Sequence, residues 1–193
     1  MFLDYNNAIL DQCTCGFPDV TSRTGSGLGH SNSVTTRLFP DMKFGCSGTV
    51  VRVSMAGEMR AGWQDPKIQI WRENNTHPDI YYKSGPDIKF ENSVCLGNLN
   101  RNQRPQGVFH CILSEVAYVS VQTGDILGLE LPPTDDDDFE PYFTSEGPMS
   151  YVFQQQLNSI VNLSEAHSVT NDLPQINLLV VLGNLLPTPN THS

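Results

Sequence analysis

Val119-Ser120-Val121-Gln122-Thr123-Gly124-Asp125-Ile126-Leu127-Gly128-Leu129-Glu130-Leu131 is the stretch whose reading decides the fold. Two runs of β-prone residues, 116–122 and 126–131, flank Thr123-Gly124-Asp125. Glycine takes the positive φ that a tight turn often needs, and an aspartate side chain there can accept from nearby backbone amides. The segment therefore predicts a turn in a structural role that sets the register of a core strand.

Similar runs lie on both sides of it. In 44–55 (FGCSGTVVRVSM), Val51, Val53 and Met55 fall on one side of an extended chain and Val50 and Arg52 on the other. In 67–72 (KIQIWR), Ile68 and Ile70 oppose Gln69 and Trp71. Period-two alternation with β-branched residues is the strand signal. Further runs at 80–83, 88–95, 108–113, 142–144, 151–155 and 176–182 bring the candidates to about ten short strands, bounded by Gly, Pro, Asn and Asp. That pattern predicts an all-β, antiparallel β-sandwich, jelly-roll-like in its connections. The one stretch with any helical character, 154–168, is polar and β-branched.

Three regions follow: a flexible N-terminal arm or linker at 1–37, a single β-sandwich domain at 38–185 and a disordered tail at 186–193. The arm assignment rests on the Ser, Thr, Gly and Asn content of 21–36. A length of 193 residues suits one domain with one sizeable core, and 38% hydrophobic content suits a folded chain.

Charge narrows the partners. The net charge is −10, from 21 acidic and 11 basic residues, and every Lys and Arg lies between Arg23 and Arg104. Duplex nucleic acid and anionic membranes need clustered cations, so the balance argues against both as partners. The most apolar segment, 176–186 (INLLVVLGNLL), falls short of the roughly 20 residues that cross a bilayer and reads as a core strand.

Asp135, Asp136, Asp137 and Asp138, with Glu140 nearby, form the densest carboxylate run. A hard cation such as calcium would relieve their repulsion, yet neighbouring residues of an extended chain point to opposite sides and no glycine turns the run around an ion. A solvated loop between Pro133 and Pro141 is the favoured reading, with calcium at these four residues the alternative and no other cofactor expected. Gly25-Ser26-Gly27-Leu28-Gly29 lacks the Gly-Lys-Ser/Thr ending of a phosphate loop. The histidines are scattered, and His110 reads as a strand residue, its neighbour Cys111 pointing to the other side. Trp63, Trp71, Tyr81, Tyr82, Tyr118, Tyr142 and Tyr151 serve either a sandwich core or a sugar-binding surface.

The cysteines at 13, 15, 46, 95 and 111 contain no CxxC pair and have no histidines at zinc spacing. Cys95 and Cys111 lie on adjacent strand candidates and are the first predicted disulfide, with Cys46 to Cys13 or Cys15 second; five buried thiols are the alternative. Asn74-Asn75-Thr76 and Asn162-Leu163-Ser164 are N-glycosylation sequons, which suit a secreted surface. The first residues, MFLDYNNAILDQC, show neither the basic start nor the apolar core of a signal peptide.

The order LFPDMKFGCSGTV (38–50), IQIWR (68–72), VFHC (108–111) and VSVQTGDILG (119–128), followed by YFTSEGPMSY (142–151) and 173–181, resembles a set of uncharacterised extracellular β-sandwich ectodomains predicted from sponges and related marine invertebrates. The resemblance spans roughly residues 38–182 and implies a sandwich outside the cell, with no assigned activity and so no catalytic residue to carry over. The expectation is a non-enzymatic extracellular interaction or recognition module with a protein or glycan ligand. A carbohydrate-binding module, possible with calcium assistance, and a hydrolase whose carboxylates meet only in the fold are the alternatives.

Overall fold

The computed structural model describes residues 12–16, 20, 33–58, 66–89, 95–96, 106–133, 140–144, 147 and 149–182. In chain order the strands are β1 (Gln12–Gly16), β2 (Thr35–Lys43), β3 (Gly48–Glu58), β4 (Lys67–Asn74), β5 (His77–Lys83), β6 (Ile88–Lys89), β7 (Cys95–Leu96), β8 (Gln106–Leu113), β9 (Val119–Val121) and β10 (Ile126–Leu131). They continue as β11 (Glu140–Pro141), β12 (Phe143–Thr144), β13 (Ser150–Phe153), β14 (Ile160–Asn162), β15 (Ser168–Thr170), β16 (Leu173–Pro174) and β17 (Ile176–Leu182). Two single 3-10 turns, Glu115–Ala117 and Leu163–Glu165, are the helical content among the described residues.

The strands form an antiparallel sandwich. One sheet has the order β1-β17-β3-β8-β7, with β9 and β11 also pairing β3; the other runs β14-β5-β4-β10-β2-β13-β15, with β6 also on β4. Between them lie Phe39, Val53, Met55, Ile68, Ile70, Leu127, Leu129 and Leu178, all buried. Alternation places these residues on one side of each strand, except in β3, where a register shift at Val51 brings Val50, expected on the other side, into the core with Val53 and Met55. β12 and β16 make a separate two-stranded pair.

The structure corrects several sequence expectations. The strands exceed ten because the long runs are supplemented by two- and three-residue pairings too short to carry a periodic signal. Residues 12–16, expected in a flexible arm, form the edge strand β1 along β17, from Gln12 opposite Val181 to Gly16 opposite Asn177. Cys15 buries its side chain in the core and Cys13 is bonded to Cys46, which anchors a strand whose own composition is polar. The domain's second strand begins at Thr35, inside the expected arm. The stretch 154–168 holds β14 and a 3-10 turn. Residues 186–193, Trp63, Gly25 to Gly29 and Asp135, Asp136, Asp137 and Asp138 lie outside the described residues.

The Thr123-Gly124-Asp125 turn does more than set register. β9 belongs to the first sheet and β10 to the second, so the turn carries the chain from one layer to the other. Gly124 has a φ of +91°, which a side chain would oppose. Asp125 accepts the Gln122 amide at 2.8 Å through its Oδ2, the side-chain-to-backbone bond expected of an aspartate at this position.

Candidate functional site

An open cleft of about 660 Å3 lies at one end of the sandwich, where the sheets part. Its second-sheet wall is Arg72 at the end of β4 with Ser84, Gly85 and Pro86 after β5; Ser47 and Tyr118 to Gln122 form the other. Strand alternation explains the wall. Ile68 and Ile70 point between the sheets, so Arg72, two residues further on, points the same way but past the edge of the packed core.

Asp125 fixes the guanidinium. Arg72 donates from Nε to Oδ1 at 2.7 Å and from Nη2 to Oδ2 at 2.9 Å, a parallel two-bond pairing. Nη2 also donates to Ser84 Oγ at 3.0 Å. Asp125 is 1% exposed, whereas the Arg72 side chain keeps 41% of its surface open. The hydrogen bond to Asp125 raises the Arg72 pKa, outweighing desolvation, so the group stays a cation. This pairing uses Nε and Nη2 and leaves Nη1 without an acceptor among the described residues, on a side chain that borders the cleft.

A second layer of bonds holds Asp125 itself. Phe44 N–H donates to the Asp125 carbonyl at 2.8 Å, and Gly124 N–H donates to the Phe44 carbonyl at 2.9 Å. Thr123 N–H donates to Ser47 Oγ at 3.0 Å. The 44–47 segment that clamps the turn contains Cys46, whose disulfide to Cys13 spans 33 residues with Cα atoms 6.4 Å apart. The disulfide thus braces the clamp that positions Asp125, which in turn positions Arg72.

The aromatic candidates separate sharply. Trp71, Tyr81 and Tyr142 are buried at 0, 3 and 6% exposure and belong to packing. Trp71 Nε1 donates to Gln69 Oε1 at 3.1 Å, within a buried set that joins Gln69 and Lys67 to Glu130. Tyr118 borders the cleft, and Tyr82 is open to solvent on β5. Tyr151 is half-buried.

His110 lies in β8 opposite Ser54 of β3, and its Nδ1 is 2.8 Å from Ser54 Oγ. This is a serine and imidazole in contact, which the sequence reading missed because the partners are 56 residues apart. No carboxylate orients His110 among the described residues, and Ser54 is 4% exposed within a paired strand. A nucleophile needs access and a base held by a third group, so the pair reads as a cross-strand hydrogen bond.

Of the predicted cysteine pairs, Cys13 and Cys46 are joined and Cys15 is a buried thiol, pushed up to about 12 by burial. Protonated at working pH, it is not a nucleophile toward the disulfide next to it. Cys111 is disulfide-bonded, and β7 runs alongside β8 with Cys95 opposite Leu113; the Cys95 side chain lies outside the described residues. Asn74 Oδ1 accepts from Thr76 N and Oγ1 at 2.9 and 2.8 Å, and Asn162 Oδ1 accepts from Ser164 N and Oγ at 3.0 and 2.8 Å.

No group of three or more His, Cys, Asp or Glu suited to a metal ion occurs among the described residues. No helix among them is long and apolar enough to cross a membrane. The chain matches no protein-family model, no curated protein and no solved structure.

Proposed function

We propose that this protein is a non-enzymatic extracellular recognition module that takes its ligand into the Arg72 cleft, and that the ligand is a saccharide. The observation that carries the reading is the fixed guanidinium, held by Asp125 on two of its nitrogens while Nη1 has no acceptor among the described residues. A donor locked before the ligand arrives loses little conformational entropy on binding. The described lining adds the hydroxyls of Ser47, Ser84 and Ser120, the Gln122 amide, the Tyr118 ring and Pro86. A few directional polar groups beside an aromatic and an apolar wall suit a ring with hydroxyls on its edge and C–H bonds on its face. Asp125 neutralises the guanidinium and the chain carries −10, which favours a neutral sugar over an anionic one.

The disulfide, the sequons and the resemblance to sponge ectodomains support the extracellular setting. In that setting Cys95 and Cys111 bond each other, and non-reducing peptide mapping should recover that linked pair.

Glycan-array binding followed by ligand-observed NMR tests the reading. Binding of a neutral oligosaccharide that falls at least tenfold in Arg72→Gln and in Tyr118→Ala is expected. Absence of any glycan binding, or binding indifferent to both substitutions, overturns it. Calorimetric titration with calcium tests assistance from Asp135, Asp136, Asp137 and Asp138: no heat at millimolar calcium removes that role.

A further inference from the structure

Strand pairing brings both sequons to one exposed face. Tyr82 of β5 lies opposite Arg72 of β4 and opposite Ile160 of β14. Asn162 is two residues beyond Ile160 and so shares its side, opposite Ile80. Asn74 joins the same side directly, because its Nδ2 donates to the Tyr82 hydroxyl at 2.8 Å. Tyr81 and Val161, the intervening residues, point the other way and are buried at 3 and 5%. The result is a face with two apolar side chains in the open, Tyr82 at 41% and Ile160 at 57% exposure, flanked by the two sequon asparagines.

We infer that Asn74 and Asn162 both carry N-linked glycans and that these glycans cover the Tyr82–Ile160 strip. The inference rests on the extracellular part of the proposed function and is independent of the cleft. In each sequon the hydroxyl at the third position donates to the asparagine Oδ1, an arrangement local to three residues, and Asn75, Thr76 and Ser164 are exposed. Transfer from a lipid-linked oligosaccharide diphosphate forms the Nδ2–C1 bond and breaks the C1–O bond to the diphosphate. The diphosphate leaves with the electron pair, and one Nδ2 proton goes to the transferase's base. Nδ2 keeps its second hydrogen, so glycosylated Asn74 remains a hydrogen-bond donor beside Tyr82. The covered strip adjoins Arg72, so the glycans border the cleft and restrict ligand approach to its Tyr118 side.

The full chain, expressed behind a cleavable leader in animal cells and read in lysate and medium alike, provides the test. Glycopeptides at both asparagines are expected, with two stepwise mobility shifts lost one each in Asn74→Gln and Asn162→Gln. Trimming the folded wild-type protein to single residual sugars with an endoglycosidase should increase binding of an environment-sensitive apolar dye, and Tyr82→Ser with Ile160→Ser should abolish that increase. An unmodified Asn74 or Asn162, or a dye signal unchanged by trimming, overturns the inference. Arg72→Gln leaves both glycans in place, so loss of the cleft reading does not imitate loss of this one.

Discussion

Strands β4, β5 and β14 have two sides built by different means. On one side Trp71, Tyr81 and Val161 join Leu38, Ile126, Phe153, Leu157 and Leu163 in a second buried cluster, closed over by the chain after β13. On the other side Ile68 and Ile70 enter the inter-sheet core, and past its edge the same strands present Arg72, Tyr82 and Ile160 to solvent, here called the open side. The closed side is held by apolar packing that any well-shaped hydrophobe can supply. The open side is held by directional bonds from distant segments, because a partly solvated cation gains little from packing and needs fixed acceptors to stay in place. Apolar burial gives stability, and the bond network gives one defined geometry.

Breaking the brace on the open side should have the largest effect. Cys13→Ser with Cys46→Ser opens a 33-residue closure and should cost about 4 kcal/mol by the loop-entropy relation, measured by urea unfolding. Asp125→Ala comes next, at about 3 kcal/mol. It removes a buried carboxylate that accepts from Arg72 and the Gln122 amide, and sugar binding should fall with it. On the closed side, Gly128→Ala places a Cβ 2.7 Å from Trp71 Nε1 and 2.9 Å from Leu38 Cδ2 and should destabilise by about 2 kcal/mol, with sugar binding intact in the folded fraction.

The smaller effects sharpen the contrast. Tyr82→Ser and Ile160→Ser on unglycosylated protein should each change stability by less than about 0.5 kcal/mol, as expected of surface positions. Across the strand, burial first and then the charges of Glu73 and Asp79 push the Tyr81 phenol from its ordinary 10.0 to about 12. The stability from keeping this phenol neutral is fully present below pH 10 and is lost as pH rises through 12. Ultraviolet titration should therefore show one tyrosine, absent in Tyr81→Phe, ionising after the exposed ones.

Much of the fold was legible because core strands leave periodic marks. Ile68 and Ile70 alternate against Gln69 and Trp71, and 126–131 follow a turn whose glycine and aspartate both act as their chemistry predicts. β1 was missed because Gln12–Gly16 carries no apolar period and is held by β17 and the disulfide. Of the site, Asp125 was legible as a turn residue. Arg72 was not, since nothing near it in sequence marks it as the partner of a carboxylate 53 positions away. Trp71 looked as available for sugar as Tyr118, although one is fully buried and the other borders the cleft.

By itself the sequence determined the β class, the sandwich, the turn at Gly124 and the two sequons, because each is written in neighbouring residues through backbone periodicity or local bonding. Only the tertiary structure decided where β4, β5 and β14 run past the packed core into solvent, that Asp125 grips Arg72, and that Asn74 and Asn162 share a face. Alternation states that a strand has two sides, and only the pairing of segments far apart in the chain determines which of them water reaches.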